Sequence, residues 1–223
     1  MPTISRRGHG ATRGDAAGSR WALVLCALSL VVGDPAPVAA QTSPVRSLLE
    51  IRQDKVVVQK YDLSCGAAGL ATLLRYQHGD FVSEQDIAKA MIGRKEYLED
   101  PDLIRYQHGF SLLDLKRYVD GRGYEGIGYG GLEYEDLENL APILVPLTVK
   151  GYNHFVVYRG ALANRVLVAD PAFGNRTMLK DEFTRAWIDY ETLGHVGFVV
   201  GRRDGLTPRN NLVALPEDFV FLR

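Results

Sequence analysis

The sequence has few cysteines, no excess of either charge and no long apolar run. Its 223 residues include only two cysteines, Cys26 and Cys65, too few for a disulfide framework or a structural zinc cluster. The 26 basic residues nearly balance the 27 acidic ones, which excludes the basic stripe that nucleic-acid binding needs. Hydrophobic residues make up 46% of the chain, a proportion typical of a globular domain. We therefore predict a globular protein with no metal, no cofactor and no nucleic-acid partner.

The first 40 residues have the pattern of an export signal. Four arginines precede an apolar run over Trp21–Val32, and the small residues Val38–Ala40 follow as a signal-peptidase site. The run is twelve residues long, whereas a transmembrane helix needs about 20. We predict a cleaved signal peptide over residues 1–40, a leader segment over 41–50, a periplasmic location and no stable membrane insertion after the signal is removed. An uncleaved anchor is the alternative for this run.

Helical patterns come before strand patterns along the rest of the chain. Capping signals at Ser83 and Ser111 open two predicted helices, and short β-branched and aromatic runs follow in the second half. Helices first and strands later indicate an α+β domain over residues 51–200, with an N-terminal helical half packed on a C-terminal antiparallel sheet. The glycine-rich stretch Gly121–Gly131 is interpreted as a connecting loop, and residues 201–223 as a polar C-terminal tail.

Once residues 1–40 are removed, Cys65 is the one cysteine left, and it opens an apolar helical pattern. A thiol in the first turn of a helix lies beside unpaired backbone N–H groups and the positive end of the helix dipole, which favour the thiolate. Gly66 leaves room for a substrate backbone. Gln59 is placed to direct its side-chain N–H toward the same point as the Cys65 backbone N–H, and two such donors form an oxyanion hole. This stretch alone is equally compatible with an inert core thiol.

Two further residues favour a catalytic role for Cys65. His154 begins one apolar strand pattern, and Asp170 ends the next one, 16 residues later. That separation fits two antiparallel strands joined by a turn over Gly160–Asn164, which brings His154 and Asp170 to the same edge of the sheet. A neutral imidazole held by a carboxylate is the base that activates a cysteine nucleophile. The spacing therefore predicts a catalytic set of Cys65, His154 and Asp170.

The two motifs together resemble those of the C39 peptidases, papain-like cysteine proteases best known as leader-cleaving domains of bacteriocin-exporting ABC transporters. The resemblance covers about residues 50–200 and implies a papain-like fold. It also implies that Cys65 is the nucleophile, His154 the general base and acid, Asp170 its orienting partner and Gln59 the oxyanion donor. The matching positions of the two motifs are Gln59, Cys65, Ala68, His154, Val156, Val157, Val168, Asp170 and Pro171.

Two positions depart from the family pattern: Ser64 stands where an acid usually precedes the cysteine, and Thr72 stands where Met is common. No Walker motif accompanies the peptidase-like region, so the chain resembles the stand-alone, exported C39-like proteins of Fap-type functional-amyloid secretion systems. The resemblance implies cleavage after small, glycine-type residues of an exported polypeptide, with amyloid subunits or secretion-system components as partners. The alternatives are a catalytically silent module that binds Gly-rich chains and a papain-like acyl transferase.

Overall fold

The computed structural model describes residues 46–100, 102 and 109–219. The predicted signal peptide over 1–40 lies outside these residues, as do residues 41–45 of the predicted leader segment. Ser83 and Ser111 cap two helices as predicted, because each hydroxyl accepts a hydrogen bond from the backbone N–H three residues later. The helices of the described part are α1 (Leu48–Gln53), α2 (Cys65–Thr72), α3 (Glu84–Ile92), α4 (Lys95–Glu99), α5 (Leu112–Gly121), α6 (Asp136–Leu140) and α7 (Lys180–Ala186). A π-helical turn over Leu73–Gln77 extends α2, and a short 3-10 helix covers Pro216–Phe219.

The main sheet has six strands, and every pair of neighbours is antiparallel. The strands of the described part are β1 (Tyr124–Tyr129), β2 (Ile143–Val149), β3 (Tyr152–Leu162), β4 (Arg165–Asp170), β5 (Gly174–Leu179), β6 (Asp189–Tyr190), β7 (Gly194–His195) and β8 (Gly197–Arg202). The order across the main sheet is β1-β8-β2-β3-β4-β5, and β6 and β7 form a separate two-stranded ribbon. This arrangement confirms the predicted α+β architecture.

Hydrophobic side chains pack on both faces of the main sheet. On one face, Leu144 and Val157 belong to the core that includes the buried residues of α2, α3 and α5. Because side chains alternate along a strand, the neighbouring Val156 points to the other face, where it packs with Phe183 and Trp187. The helices α2, α3 and α5 therefore pack on the sheet as predicted, and α6 and α7 cover the opposite face.

The interpretation of Gly121–Gly131 as a loop is wrong, because β1 lies within it and pairs with β8 along its whole length. Glycine lowers strand propensity, so the sequence pattern suggested a loop. In the structure, a Cβ atom on Gly126 would lie 2.8 Å from Val119 of α5 and 2.9 Å from Phe198 of β8. The missing side chain allows the edge strand to lie close to its helix and its neighbouring strand.

The segments at both ends of the described chain pack on the sheet. Asn175 of β5 donates a hydrogen bond to the carbonyl of Asp54, just after α1. Leu212 is fully buried, and the buried guanidinium of Arg159 donates to its carbonyl at 3.0 Å and to Asp218 at 3.1 Å. The part of the predicted C-terminal tail that the structure describes, up to residue 219, therefore contacts the sheet. A stretch that is polar in composition still carries one apolar side chain into the core.

Candidate active site

Cys65 is the first residue of α2, and the start of this helix has no side-chain cap. The preceding residue, Ser64, makes no capping hydrogen bond, and the first turn holds no acidic residue. The first backbone N–H groups of a helix have no partner within the helix, so at this end they and the positive dipole end face the thiol. Cys65 is 5% exposed. The local sequence thus leaves an anion-stabilising helix start beside a nucleophilic atom.

A buried carboxylate holds the chain that leads into α2. Glu84, the first residue of α3, is 4% exposed and accepts hydrogen bonds from the backbone N–H groups of Lys60 and Tyr61 at 3.0 and 3.3 Å. Its Oε1 also accepts a 2.5 Å hydrogen bond from the Ser64 hydroxyl, which explains why Ser64 does not cap α2. In this loop Leu63 adopts a left-handed backbone conformation with φ of 62°, a conformation that costs free energy for a residue with a side chain. Four hydrogen bonds to Glu84 from Lys60, Tyr61 and Ser64, which flank Leu63, stabilise this conformation.

Thr72, the second departure from the family pattern, fixes the segment before this loop. Its hydroxyl donates to the Ala68 carbonyl within α2 and accepts from the backbone N–H of Val57, both at 2.9 Å. Two residues later, the backbone N–H of Gln59 donates to the Pro171 carbonyl at 2.8 Å. The extended segment that carries Gln59 is therefore held between α2 and the loop that follows Asp170.

His154 and Asp170 lie side by side, as the spacing predicts. His154 Nε2 donates a 2.7 Å hydrogen bond to Asp170 Oδ1, which also accepts the backbone N–H of Ala172 at 2.9 Å. The strands that carry them, β3 and β4, are adjacent, with a register shift between Tyr158 and Gly160. The carboxylate is fully buried and the imidazole is 12% exposed. The buried carboxylate fixes the imidazole, so that Nδ1 is the ring nitrogen left for Cys65.

The charges of these three groups depend on one another. Burial lowers the pKa of His154, but its hydrogen bonds with Asp170 and Cys65 outweigh burial and raise it to about 9. Burial raises the pKa of Asp170, while the hydrogen bond and charge of His154 and the charge of Arg176 bring it below its usual value. A raised pKa of His154 favours the protonated imidazole at neutral pH, and an imidazolium in this position favours ionisation of a neighbouring thiol.

Gln59 lies close to this set, but its side chain is turned away from the predicted role. Its Nε2 donates to the carbonyl of Tyr61 at 3.2 Å, and its Oε1 is buried with no partner in the part of the chain that is described. To reach an oxyanion next to Cys65, the amide has to exchange the Tyr61 carbonyl for the substrate oxygen. Catalytic hydrogen bonds of this kind often form only when substrate is bound, so the oxyanion role of Gln59 stays a prediction.

Glu84 and Arg176 are two residues of the site that the sequence motifs do not indicate. Glu84 follows a capping serine, a position where an acidic residue is ordinary, and nothing in the spacing links it to the loop before Cys65. Arg176 Nε lies 2.8 Å from Asp170 Oδ2. It could have been found by extending the predicted hairpin one strand further, since β5 continues directly from the turn after Asp170.

An apolar cavity of about 260 Å³ opens beside His154. Phe110, Leu112, Phe155, Tyr190 and Leu193 contribute to its wall, together with His154 itself. Such a cavity can accept an apolar side chain of a bound polypeptide.

A thiol at a helix start, paired with a histidine and a buried aspartate on an antiparallel sheet, defines a cysteine peptidase with a papain-like fold. The model of the peptidase C39 family matches residues 53–193. The chain belongs to this family and is a cysteine-type peptidase.

Two curated relatives are similar over much of the chain. One, named "Probable functional amyloid protease FapD" from Pseudomonas aeruginosa, is 38% identical over 174 residues, which cover 78% of this chain and 71% of the relative. The other, of the same name from Pseudomonas fluorescens, is 39% identical over 143 residues, which cover 64% of this chain and 61% of the relative.

Two solved structures have the same fold. A double glycine motif protease from an AMS/PCAT transporter, in complex with the leader peptide, gives a TM-score of 0.51 at 24% identity over 66% of this chain and 90% of that one. The peptidase domain of Streptococcus ComA gives a TM-score of 0.51 at 19% identity, over 66% of this chain and 98% of that one. These neighbours confirm the predicted papain-like fold. Among the described residues, no helix has the length and apolar character needed to span a membrane.

Proposed function

We propose that this chain is a periplasmic peptidase that hydrolyses an exported polypeptide, such as a functional-amyloid component, after small, glycine-type residues. The contact that carries the proposal is the pairing of His154 with the buried Asp170 and with Cys65. The names of the two Pseudomonas relatives support an amyloid system. The signal-like residues 1–40 support export. The fold shared with a double-glycine protease supports a small residue before the cut.

In the proposed reaction, the Cys65 thiolate attacks the carbonyl carbon of the scissile bond. A C–S bond forms, and the carbonyl π electrons move to oxygen, where the Cys65 backbone N–H and the Gln59 amide stabilise the negative charge. The imidazolium of His154 then donates its proton to the leaving nitrogen as the C–N bond breaks. Water, deprotonated by His154, then attacks the thioester, and the C–S bond breaks. This step releases the acid product and regenerates the Cys65 thiolate beside the His154 imidazolium.

The test uses the purified protein and a synthetic peptide that contains a Gly-Gly pair, with the products measured by mass spectrometry. We expect wild type, and not Cys65→Ala, to produce two fragments. Their summed mass should equal the mass of the intact peptide plus one water. The variant should remain folded, because alanine replaces a small side chain at the helix start. If no peptide with a Gly-Gly pair is cleaved, the binding module is favoured. If a fragment becomes joined to an added thiol, the acyl transferase is favoured. Cleavage by Cys65→Ala at the wild-type rate would overturn the mechanism.

A further inference from the structure

Asp170 has a second cationic partner besides His154. The Arg176 guanidinium places its Nε 2.8 Å from Asp170 Oδ2, the oxygen that His154 does not use. Both atoms are buried, and neither has a hydrogen-bond partner among the described residues, so the contact between them is ionic. A buried carboxylate oxygen without a partner is costly. The pair is therefore an ion pair in which each atom offsets the burial of the other.

The sheet register brings Arg176 to this position. Arg176 pairs with Val168 across β4 and β5, and Asp170 pairs with Gly174. Asp170 and Val168 are two residues apart and share a face of the strand, so the long Arg176 side chain reaches Asp170 diagonally. Gly174, directly opposite the aspartate, has no side chain to obstruct it.

Neighbouring residues fix both the arginine and its strand. The guanidinium carbon of Arg176 lies 5.6 Å from the ring centre of Phe173, a cation–π contact on its outer side. Asn175, the residue before it, donates to the Asp54 carbonyl and accepts a 3.0 Å hydrogen bond from Arg159. These two contacts of the Asn175 side chain fix β5 next to Arg176.

We propose that Arg176 is a positioning residue of the active site, which keeps the Asp170 carboxylate ionised and aimed at His154. Among the described residues, the charged groups that act on Asp170 are His154 from β3 and Arg176 from β5, and Cys65 from α2 acts on His154. The guanidinium is one of two positive charges beside the buried carboxylate, so removing it favours protonation of Asp170.

The test measures Asp170 through the nitrogen that touches it. In ¹⁵N-histidine-labelled Cys65→Ala protein, the signal of His154 Nε2, assigned by its loss in His154→Gln, should change at acid pH when Asp170 is protonated. Adding Arg176→Gln should raise the midpoint of this change by about one pH unit, the lower end of the effect of an adjacent arginine, because Arg176 is 25% exposed. Arg176→Lys keeps the charge and should give less than half of that rise.

Arg185→Gln is the matched control, because Arg185 is an exposed arginine on α7, and it should leave the midpoint unchanged. An unchanged midpoint in Arg176→Gln would overturn the inference about Arg176 while leaving the peptidase proposal intact. If Arg176→Gln does not fold, Arg176→Lys decides: a rise of about one pH unit despite the retained charge would contradict the role. If the parent protein shows no carboxylate-dependent change at His154, the proposed catalytic set itself fails.

Discussion

At the scale of single residues, Gln59 is the predicted oxyanion donor, but in the free protein its amide contacts the Tyr61 carbonyl. If its amide turns from the Tyr61 carbonyl to the oxyanion, Gln59→Ala should lower kcat by about 10²- to 10³-fold and leave KM nearly unchanged, because the hydrogen bond forms only in the transition state. Steady-state kinetics with a cleavable peptide measure both constants. Gln85→Ala, which changes an exposed glutamine on α3, is the control. A rise in KM at constant kcat would instead make Gln59 a substrate-binding residue.

The residues of the candidate site differ in how far the sequence could predict them. His154 and Asp170 were predictable because antiparallel strands and a short turn convert their spacing into proximity. The size of the shift in the pKa of His154 was not, since it depends on burial and on two partners at once. Glu84 could not be assigned because its contact depends on where a separate helix docks, whereas Arg176 could be found only by extending the predicted hairpin by one strand.

Among the helices, α2 shows how closely the nucleophile-bearing element packs on the sheet. A Cβ atom on Gly69 would lie 2.5 Å from Leu144 Cδ1, and Leu144 is fully buried in β2. Gly69→Ala should therefore destabilise the protein by about 1–2 kcal/mol, since overpacking exceeds the gain in helix propensity. Urea denaturation of both proteins measures the free energy of unfolding.

Gly121 supplies the matched comparison, because a Cβ atom there would contact nothing within 4 Å. Gly121→Ala in α5 should leave packing unchanged and stabilise the protein by about 0.5 kcal/mol through propensity alone. Equal changes in the free energy of unfolding for the two substitutions would show that α2 does not approach β2 as closely as in the structure.

The elements themselves were largely predictable where a local signal exists. Serine caps mark the starts of α3 and α5, and β-branched runs mark β2, β3, β4 and β8. The edge strand β1 was misread because Gly126 allows close tertiary packing against Val119 and Phe198, which local propensity does not include.

For the molecule as a whole, the C-terminal segment is part of the folded unit. Leu212 is fully buried, whereas Leu206 is 63% exposed. Leu212→Ala should lower the free energy of unfolding by about 2–5 kcal/mol, and Leu206→Ala should change it by less than about 0.5 kcal/mol. Urea denaturation compares the two variants with wild type. Similar small effects of both would mean that residues beyond 203 add little to the fold.

The central claim is that Cys65 and His154 form a thiolate–imidazolium pair in the folded protein, and the pH dependence of Cys65 alkylation tests it most directly. An ordinary thiol loses about 100-fold in alkylation rate between pH 8 and pH 6, and denatured wild type provides that reference. Because the pKa of His154 is raised to about 9, its positive charge persists throughout this range, and it should keep the thiolate populated at the lower pH. Folded wild type should therefore lose less than about tenfold, whereas His154→Ala should approach the reference. A loss of about 100-fold in wild type, equal to that in His154→Ala, would contradict the account.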